Sequence, residues 1–456
     1  MSFRQKFGLV RSVLPCLGVL LSSFIFVMWF AMNSDKDNIH PLITQLIPAG
    51  HCACEQSTNF NCGSCLESVD NNNTITTAPN SPHWSFQYGR DDQNVGLTRD
   101  QCQAAFPGLF EDVNRAVDFW RPRGGITPNH LDQIALRNGM ARGMIYDGEL
   151  HVVATNSAQE DHRRKTLAIF SAIYRALPVD RSTLPDTEFV FSIEDKVEDV
   201  LASDQPLWAL GRKASEESIW LMPDFGFWAW DNPKISIGPY SQVVEKIKQT
   251  EDIFPWKLKK KKLVWRGKLS FAPKLRRKLL EVTRSKPWGD VKEVVWTRQD
   301  NLISMEDHCK YMFIAHVEGR AFSSSLKYRQ ACHSVVVAHK LQYIQHHHYL
   351  LQAQGPHQNY VEVERDFSDL PGKMEELLRQ DDQTKRIADN NVKTFRERYL
   401  TKAAEACYWR ELLYGWVEVF SHGGMPAVPS GEAVERGVRY ESFILLDPKD
   451  MMQFSN

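Results

Sequence analysis

The stretch Phe313–Ala338, FIAHVEGRAFSSSLKYRQACHSVVVA, admits few folds. Phe313–Val317 is short, apolar and β-prone, which predicts a strand, and Ser334–Ala338 predicts a second buried one. Between them lie a small, hydroxyl-rich turn, Gly319–Ser325, and a helical turn or two at Leu326–Ala331. Strand, small-residue turn, helix and strand make the βαβ unit of an α/β sheet. Anions bind such sheets at the helix start, where unpaired backbone N–H groups point outward and the helix dipole favours negative charge. Ser323, Ser324 and Ser325 offer hydroxyl donors there, with Arg320 and Lys327 as nearby cations. Three serines in this place would equally serve as helix caps, the commoner use of the residue.

At 456 residues the chain has room for two medium domains. A formal charge of −1 gives no basic excess that would point to nucleic acid. Its first segment sets the compartment. Residues 13–32 form an uncharged, mostly apolar run long enough to cross a bilayer as a helix. Arg4, Lys6 and Arg11 precede it, so the positive-inside rule leaves residues 1–12 as a cytoplasmic tail and places the body in the lumen. The run is long for a cleaved signal peptide, which is the rival reading. With no retrieval tetrapeptide at the C-terminus, a Golgi type II membrane protein is expected, with the ER membrane as second choice.

Eight of the nine cysteines follow the apolar run, an even set suited to disulfides in an oxidising lumen. Cys52, Cys54, Cys62 and Cys65 also have spacing that could hold zinc; the compartment favours disulfides. Asn72-Asn73-Thr74 is an N-glycosylation sequon, so Asn72 is expected on an exposed loop.

Residues 33–100 read as a polar, cysteine-containing stem. From there helices and strands alternate in two groups, residues 101–252 and 253–420, which predicts an α/β protein of two Rossmann-like domains. In the first group are a helix at Asp112–Trp120, a hairpin at Gly143–Val153 turning on Asp147-Gly148, an amphipathic helix at Asp161–Leu177 and a buried strand at Phe189–Ile193. In the second, strands are expected at Leu263–Trp265, Val294–Trp296 and Tyr360–Val363, besides the opening unit. Long helices follow at Thr384–Tyr399 and Lys402–Phe420, and residues 421–456 form a Gly/Pro-rich tail expected to wrap the surface.

Asp195 follows a predicted buried strand at the edge where open α/β sheets place ligands, so it could accept a proton from an attacking hydroxyl. Among Glu194, Lys196, Glu198 and Asp199 it also reads as an ordinary exposed acid. Arg266, just after a strand and next to Gly267, is the strongest phosphate candidate in a basic stretch that also holds Lys268 and Arg276. The consecutive His346, His347 and His348 point in different directions on a helix or a strand and make a poor metal site. Asp35-Lys36-Asp37, the one Asp-x-Asp, flanks the apolar run, so no metal is expected.

Several motifs fall in a fixed order: Leu263-Val264-Trp265-Arg266-Gly267, His308-Cys309-Lys310-Tyr311, Glu318-Gly319 through Lys327-Tyr328, Cys332-His333-Ser334, and GPHQNYVEVERDFSDL ending at Leu370. Together they resemble the capsule-associated glycosyltransferase domain of fungi, which is shared with animal protein O-glucosyltransferases and belongs to glycosyltransferase family 90. The resemblance covers roughly Cys102–Phe420. It implies a GT-B enzyme, inverting and metal-independent, that moves xylose or glucose from a UDP-sugar donor to a glycan or protein hydroxyl acceptor. It also implies that Asp195 is the catalytic base. The donor site would comprise Lys268, Arg276 and the turn Arg320, Ala321, Phe322, Ser323, Ser324, Ser325 and Lys327, to which the residues add Arg266. Cys309 and Cys332 stand where relatives have a disulfide, and Cys407 resembles a family cysteine tied to the N-terminal region, with Cys102 as its expected partner. One departure matters. The family usually has a pyrophosphate-binding arginine where this chain has Ser325, a loss of about 2–4 kcal/mol of leaving-group stabilisation unless another cation, such as Arg320, replaces it. A non-catalytic lumenal binding protein on the same fold is the alternative reading.

Overall fold

The Asp147-Gly148 turn makes the first large structural commitment. In the computed structural model both residues adopt positive φ, 48° and 69°, the conformation a two-residue hairpin needs. The strands it joins are β1 (Met140–Tyr146) and β2 (Glu149–Asn156). The structure describes residues 84–177, 184, 186–199, 205–228, 237–295, 300–421 and 437–455. The apolar run 13–32, the stem cysteines, Asp35-Lys36-Asp37 and Asn72 lie outside the described residues. Among the described residues no helix is long and apolar enough to cross a membrane.

The first lobe is built on helices α1 (Arg99–Ala105), α2 (Glu111–Trp120) and α3 (Glu160–Ala176). Between and after them come β1, β2 and β3 (Thr187–Ser192), then the short strands β4 (Trp208–Ala209), β5 (Arg212–Lys213) and β6 (Trp220–Leu221). Helix α4 (Tyr240–Ile253) closes the lobe. Here the expected parallel sheet is corrected: β1 runs antiparallel to both β2 and β3, and only β3, β4 and β6 are parallel. A two-residue turn can join only antiparallel neighbours, so the hairpin itself dictates the β1–β2 pairing. Each of β3's six residues is buried, because the strand is covered on both faces.

The second lobe holds a wholly parallel five-stranded sheet. Its elements in chain order are β7 (Lys260–Gly267), α5 (Pro273–Thr283), β8 (Gly289–Glu293), β9 (Tyr311–His316), α6 (Leu326–Gln330), β10 (Val335–His339) and β12 (Val361–Val363). The strand order is β12-β10-β9-β7-β8. Between β10 and β12, β11 (Tyr343–Ile344) pairs with β5 of the first lobe. Side chains alternate as the pleat requires. Leu263, Trp265, Phe313, Ala315, Val335 and Val337 enter one core, beneath α5, α7 (Leu370–Arg379) and α8 (Asp381–Thr394). Val264 and Ile314 face the other way and join the core that fills the first lobe.

The expected strand at Val294–Trp296 is corrected to β8, several residues earlier. It pairs with β7 from Leu263↔Gly289 to Gly267↔Glu293 and stops where β7 stops. At the sheet edge it needs to bury one face only, which its polar GDVKE sequence allows. Helix α9 (Lys402–Val419) returns to the first lobe. There Trp416 Nε1 donates to Glu188 O at 3.0 Å and Tyr408 Oη to Leu221 O at 2.9 Å. Nor do the last residues simply wrap the surface: β13 (Val438–Arg439) and β14 (Gln453–Ser455) both pair with β2.

Both cysteine pairings implied by the resemblance are formed. Cys102–Cys407 ties α1 to α9, and Cys309–Cys332 closes the segment carrying β9, the serine turn and α6.

Candidate active site

Because β7, β9 and β10 are parallel, their C-terminal ends converge on one edge, and the segments leading into α5 and α6 meet there. Arg276, on α5, is buried at this edge. Its Nε donates to Glu318 O at 3.0 Å and its Nη1 to Lys268 O at 2.6 Å. Gly319 makes room for it: a Cβ on Gly319 would lie 3.3 Å from Arg276 Nη2. Among the described residues no carboxylate pairs with this guanidinium, and burial alone pushes its pKa down to about 10. A buried cation held by backbone carbonyls and the rings of Trp265 and Phe271, with no carboxylate, is costly unless an anion joins it.

The turn before α6 is held from several sides. Ala321 and Phe322 are buried, and a Cβ on Gly211 would meet Phe322 Cδ1 at 2.7 Å, so glycine is what lets the ring approach β5's segment. Ser323 and Ser325 are half-buried and their hydroxyls hydrogen-bond each other at 2.9 Å. Ser325 makes no side-chain cap bond, and α6 spans only five residues. The expected anion site at a helix start is therefore weak here, since so short a helix sums few peptide dipoles. The positive charge at this edge comes from arginine.

Two of the expected donor residues have partners within the protein. Lys327 is buried, with Nζ 2.7 Å from each carboxylate oxygen of Asp224 and 3.1 Å from Ser324 O. Its ammonium is occupied in fastening the turn to the first lobe. Arg266 is similarly engaged: its Nη2 lies 2.9 Å from Asp290 Oδ1, and its Nη1 donates to Trp265 O at 2.9 Å. The other two cations are less tightly held. Lys268 is exposed, its Nζ 5.2 Å from the Phe271 ring centroid. Arg320 reaches toward the first lobe, its Nη2 3.6 Å from Asp199 in an exposed pair.

Asp195 lies just beyond β3. Gly139 O accepts from Ile193 N at 2.9 Å, fixing where the strand ends. The Asp195 side chain is exposed by surface area. Protein nevertheless crowds it enough that desolvation is the largest influence on its pKa and raises it, against the pull of Lys165, Arg320 and Lys196. Arg320's influence means that the serine turn of the second lobe and the strand end of the first face each other. Arg320 thus acts on Asp195, and its neighbour Gly319 packs against Arg276.

His346, His347 and His348 are interior residues, neutral because burial drives their pKa values down, to about 3 for His346 and His348. Among the described residues no group of three or more His, Cys, Asp or Glu side chains is placed to hold a metal ion. Sequence reasoning missed Asp224 and Arg329. Asp224 sits in the aromatic run LMPDFGFWAW, and Arg329 in a helix between two buried strands. A charge inside such an apolar stretch is the signal that each has a specific partner.

A two-lobed α/β architecture with a cation-lined edge on a parallel sheet is consistent with a glycosyltransferase. A profile described as glycosyl transferase family 90 matches residues 99–431, and the chain belongs to that family. Among its relatives is a protein O-glucosyltransferase 1 from Bos taurus, 23% identical over 345 residues, covering 69% of this chain and 86% of that protein. Another is an O-glucosyltransferase rumi homolog from Aedes aegypti, 26% identical over 344 residues, covering 70% and 81% respectively.

Proposed function

We propose that this protein transfers a sugar, glucose or xylose, from a UDP-sugar to a hydroxyl of a protein or glycan, by one inverting displacement without a metal ion. The observation that carries the reading is Arg276: a buried guanidinium without a carboxylate, at the ligand-binding edge of a parallel sheet. Asp195 takes the proton of the acceptor hydroxyl as its oxygen attacks the anomeric carbon. The bond from that carbon to the diphosphate oxygen breaks, and UDP leaves with its new charge facing Arg276. A fixed cation needs no reorganisation as that charge develops. The raised pKa of Asp195 makes it a stronger base than an ordinary carboxylate. The relatives' names support glucose and a protein acceptor.

The reading includes anchorage by residues 13–32 as a type II protein of the Golgi membrane with the catalytic lobes in the lumen. The two disulfides support an oxidising compartment. A second reading, binding without turnover, is favoured by one observation: Ser325 brings no charge to the turn, and Arg320 is partly engaged by Asp199. Release of UDP from UDP-glucose and UDP-xylose, measured with chelator present, separates the two. The wild-type protein should turn over at least one donor. Asp195→Asn should lower the rate by about 10²- to 10⁴-fold. A folded Asp195→Asn protein at full rate would remove Asp195 from the mechanism.

A further inference from the structure

Most of the buried or nearly buried arginines have a carboxylate. Arg142 pairs with Glu188 at 2.7 Å, Arg212 with Asp112 at 2.8 Å, Arg266 with Asp290 at 2.9 Å and Arg396 with Glu251 at 2.6 Å. Arg410 instead donates to three backbone carbonyls, those of Val95, Leu97 and Ala176. Arg329 fits neither pattern. It is 6% exposed, and its one side-chain hydrogen bond among the described residues runs from Nη1 to His316 Nδ1 at 3.0 Å. His316 ends β9 and is itself buried, and burial beside Arg329 keeps its ring neutral. A neutral ring nitrogen orients a guanidinium without offsetting its charge.

Burial, and after it the charge of Arg276, push the pKa of the Arg329 guanidinium down to about 9. The two arginines stand on α6 and α5, the helices that follow the adjacent strands β9 and β7. Two buried like charges without a carboxylate are costly, and an anion lying between or against them would offset that cost. A doubly charged diphosphate, with oxygens for two forks, meets that need better than a carboxylate.

We propose that Arg329 is a second guanidinium of the donor-diphosphate site, oriented by His316 and acting beside Arg276. This rests on the UDP-sugar reading above and identifies the cation that does the work Ser325 cannot do.

The test is calorimetric titration of UDP and of uridine into the full chain, for the wild type, Arg329→Gln and Arg329→Lys, with melting temperatures taken without ligand. Arg329→Gln should bind UDP about 10- to 100-fold more weakly and uridine unchanged, because only the diphosphate contact is lost. Its unliganded melting temperature should match or exceed the wild type's, since glutamine can still donate to His316 and the repulsion with Arg276 is gone. Arg329→Lys should fall between the two, keeping charge without the fork. It carries the test should the glutamine variant fail to fold. Equal UDP affinity in the variants, or uridine and UDP weakened in the same ratio, would overturn the assignment while leaving the UDP-sugar reading in place. A folded wild-type protein that binds neither UDP nor pyrophosphate would overturn both.

Discussion

Replacing Lys327 with methionine removes one half of a buried ion pair between the lobes. Lys327 and Asp224 side chains are each 2% exposed, and Nζ lies 2.7 Å from both carboxylate oxygens. Taking away the ammonium strands Asp224 in the interior, near the carboxyl of Glu405, which burial already holds far above its usual pKa. Losing one partner of such a pair costs about 3–5 kcal/mol. Removing both, as in Lys327→Met with Asp224→Leu, should restore most of that loss, since buried pairs are often replaceable by apolar side chains. Urea denaturation followed by tryptophan fluorescence reads the four members of this cycle, and an interaction energy of about 2–3 kcal/mol is expected. The Lys327→Met variant should also bind UDP more weakly, indirectly, because Lys327 fastens the turn through Ser324. A single variant within about 1 kcal/mol of wild type, the size of an exposed pair, would refute the reasoning. So would a double variant as unstable as the sum of the singles.

Three further outcomes follow from the same geometry. Asp195 has its pKa raised by crowding, so the carboxylate form is the less favourable one in the fold, and the stability penalty is full above the folded pKa and vanishes below the unfolded one. Asp195→Asn should therefore melt at or slightly above the wild-type temperature at neutral pH, while the acid limb of the wild-type pH–rate profile lies above the ordinary carboxylate range. Arg276→Met should weaken UDP binding by at least tenfold without lowering the melting temperature in proportion, because the arginine has no carboxylate to strand; calorimetry beside thermal melts checks it. Opening Cys309–Cys332 by double alanine substitution should cost about 3 kcal/mol, as expected for a loop of sequence separation 23. Because that loop carries the serine turn, UDP affinity should fall as well.

Local signals carried far in this chain. Helix α3, the strand before Asp195 and the βαβ unit around β9 and β10 all lie within a residue or two of their expected places, and the hairpin turns on Asp147-Gly148 as expected, its strands three residues longer at each outer end. What was not legible depends on distant pairing. The antiparallel setting of β1 against β3 joins segments separated by the whole of α3. β13 and β14 become strands only because β2 offers a free edge at the other end of the chain. Lys327 and Arg266 had the right residue type and position for phosphate, but Asp224 and Asp290, at sequence separations of 103 and 24, occupy them. Conversely Arg329 looked like one more helix residue; only its burial without a carboxylate distinguishes it. Asp195, surrounded by other acids, stood out through family resemblance more than through its own sequence context.

The most direct test of the central claim is a calorimetric titration of UDP into the full chain with chelator present. Binding in the micromolar range that survives chelation is the expected result, with the phosphates taken up by arginine and no metal required. A folded protein that gives no binding heat across titration temperatures, or binds only when a divalent cation is restored, would contradict the account.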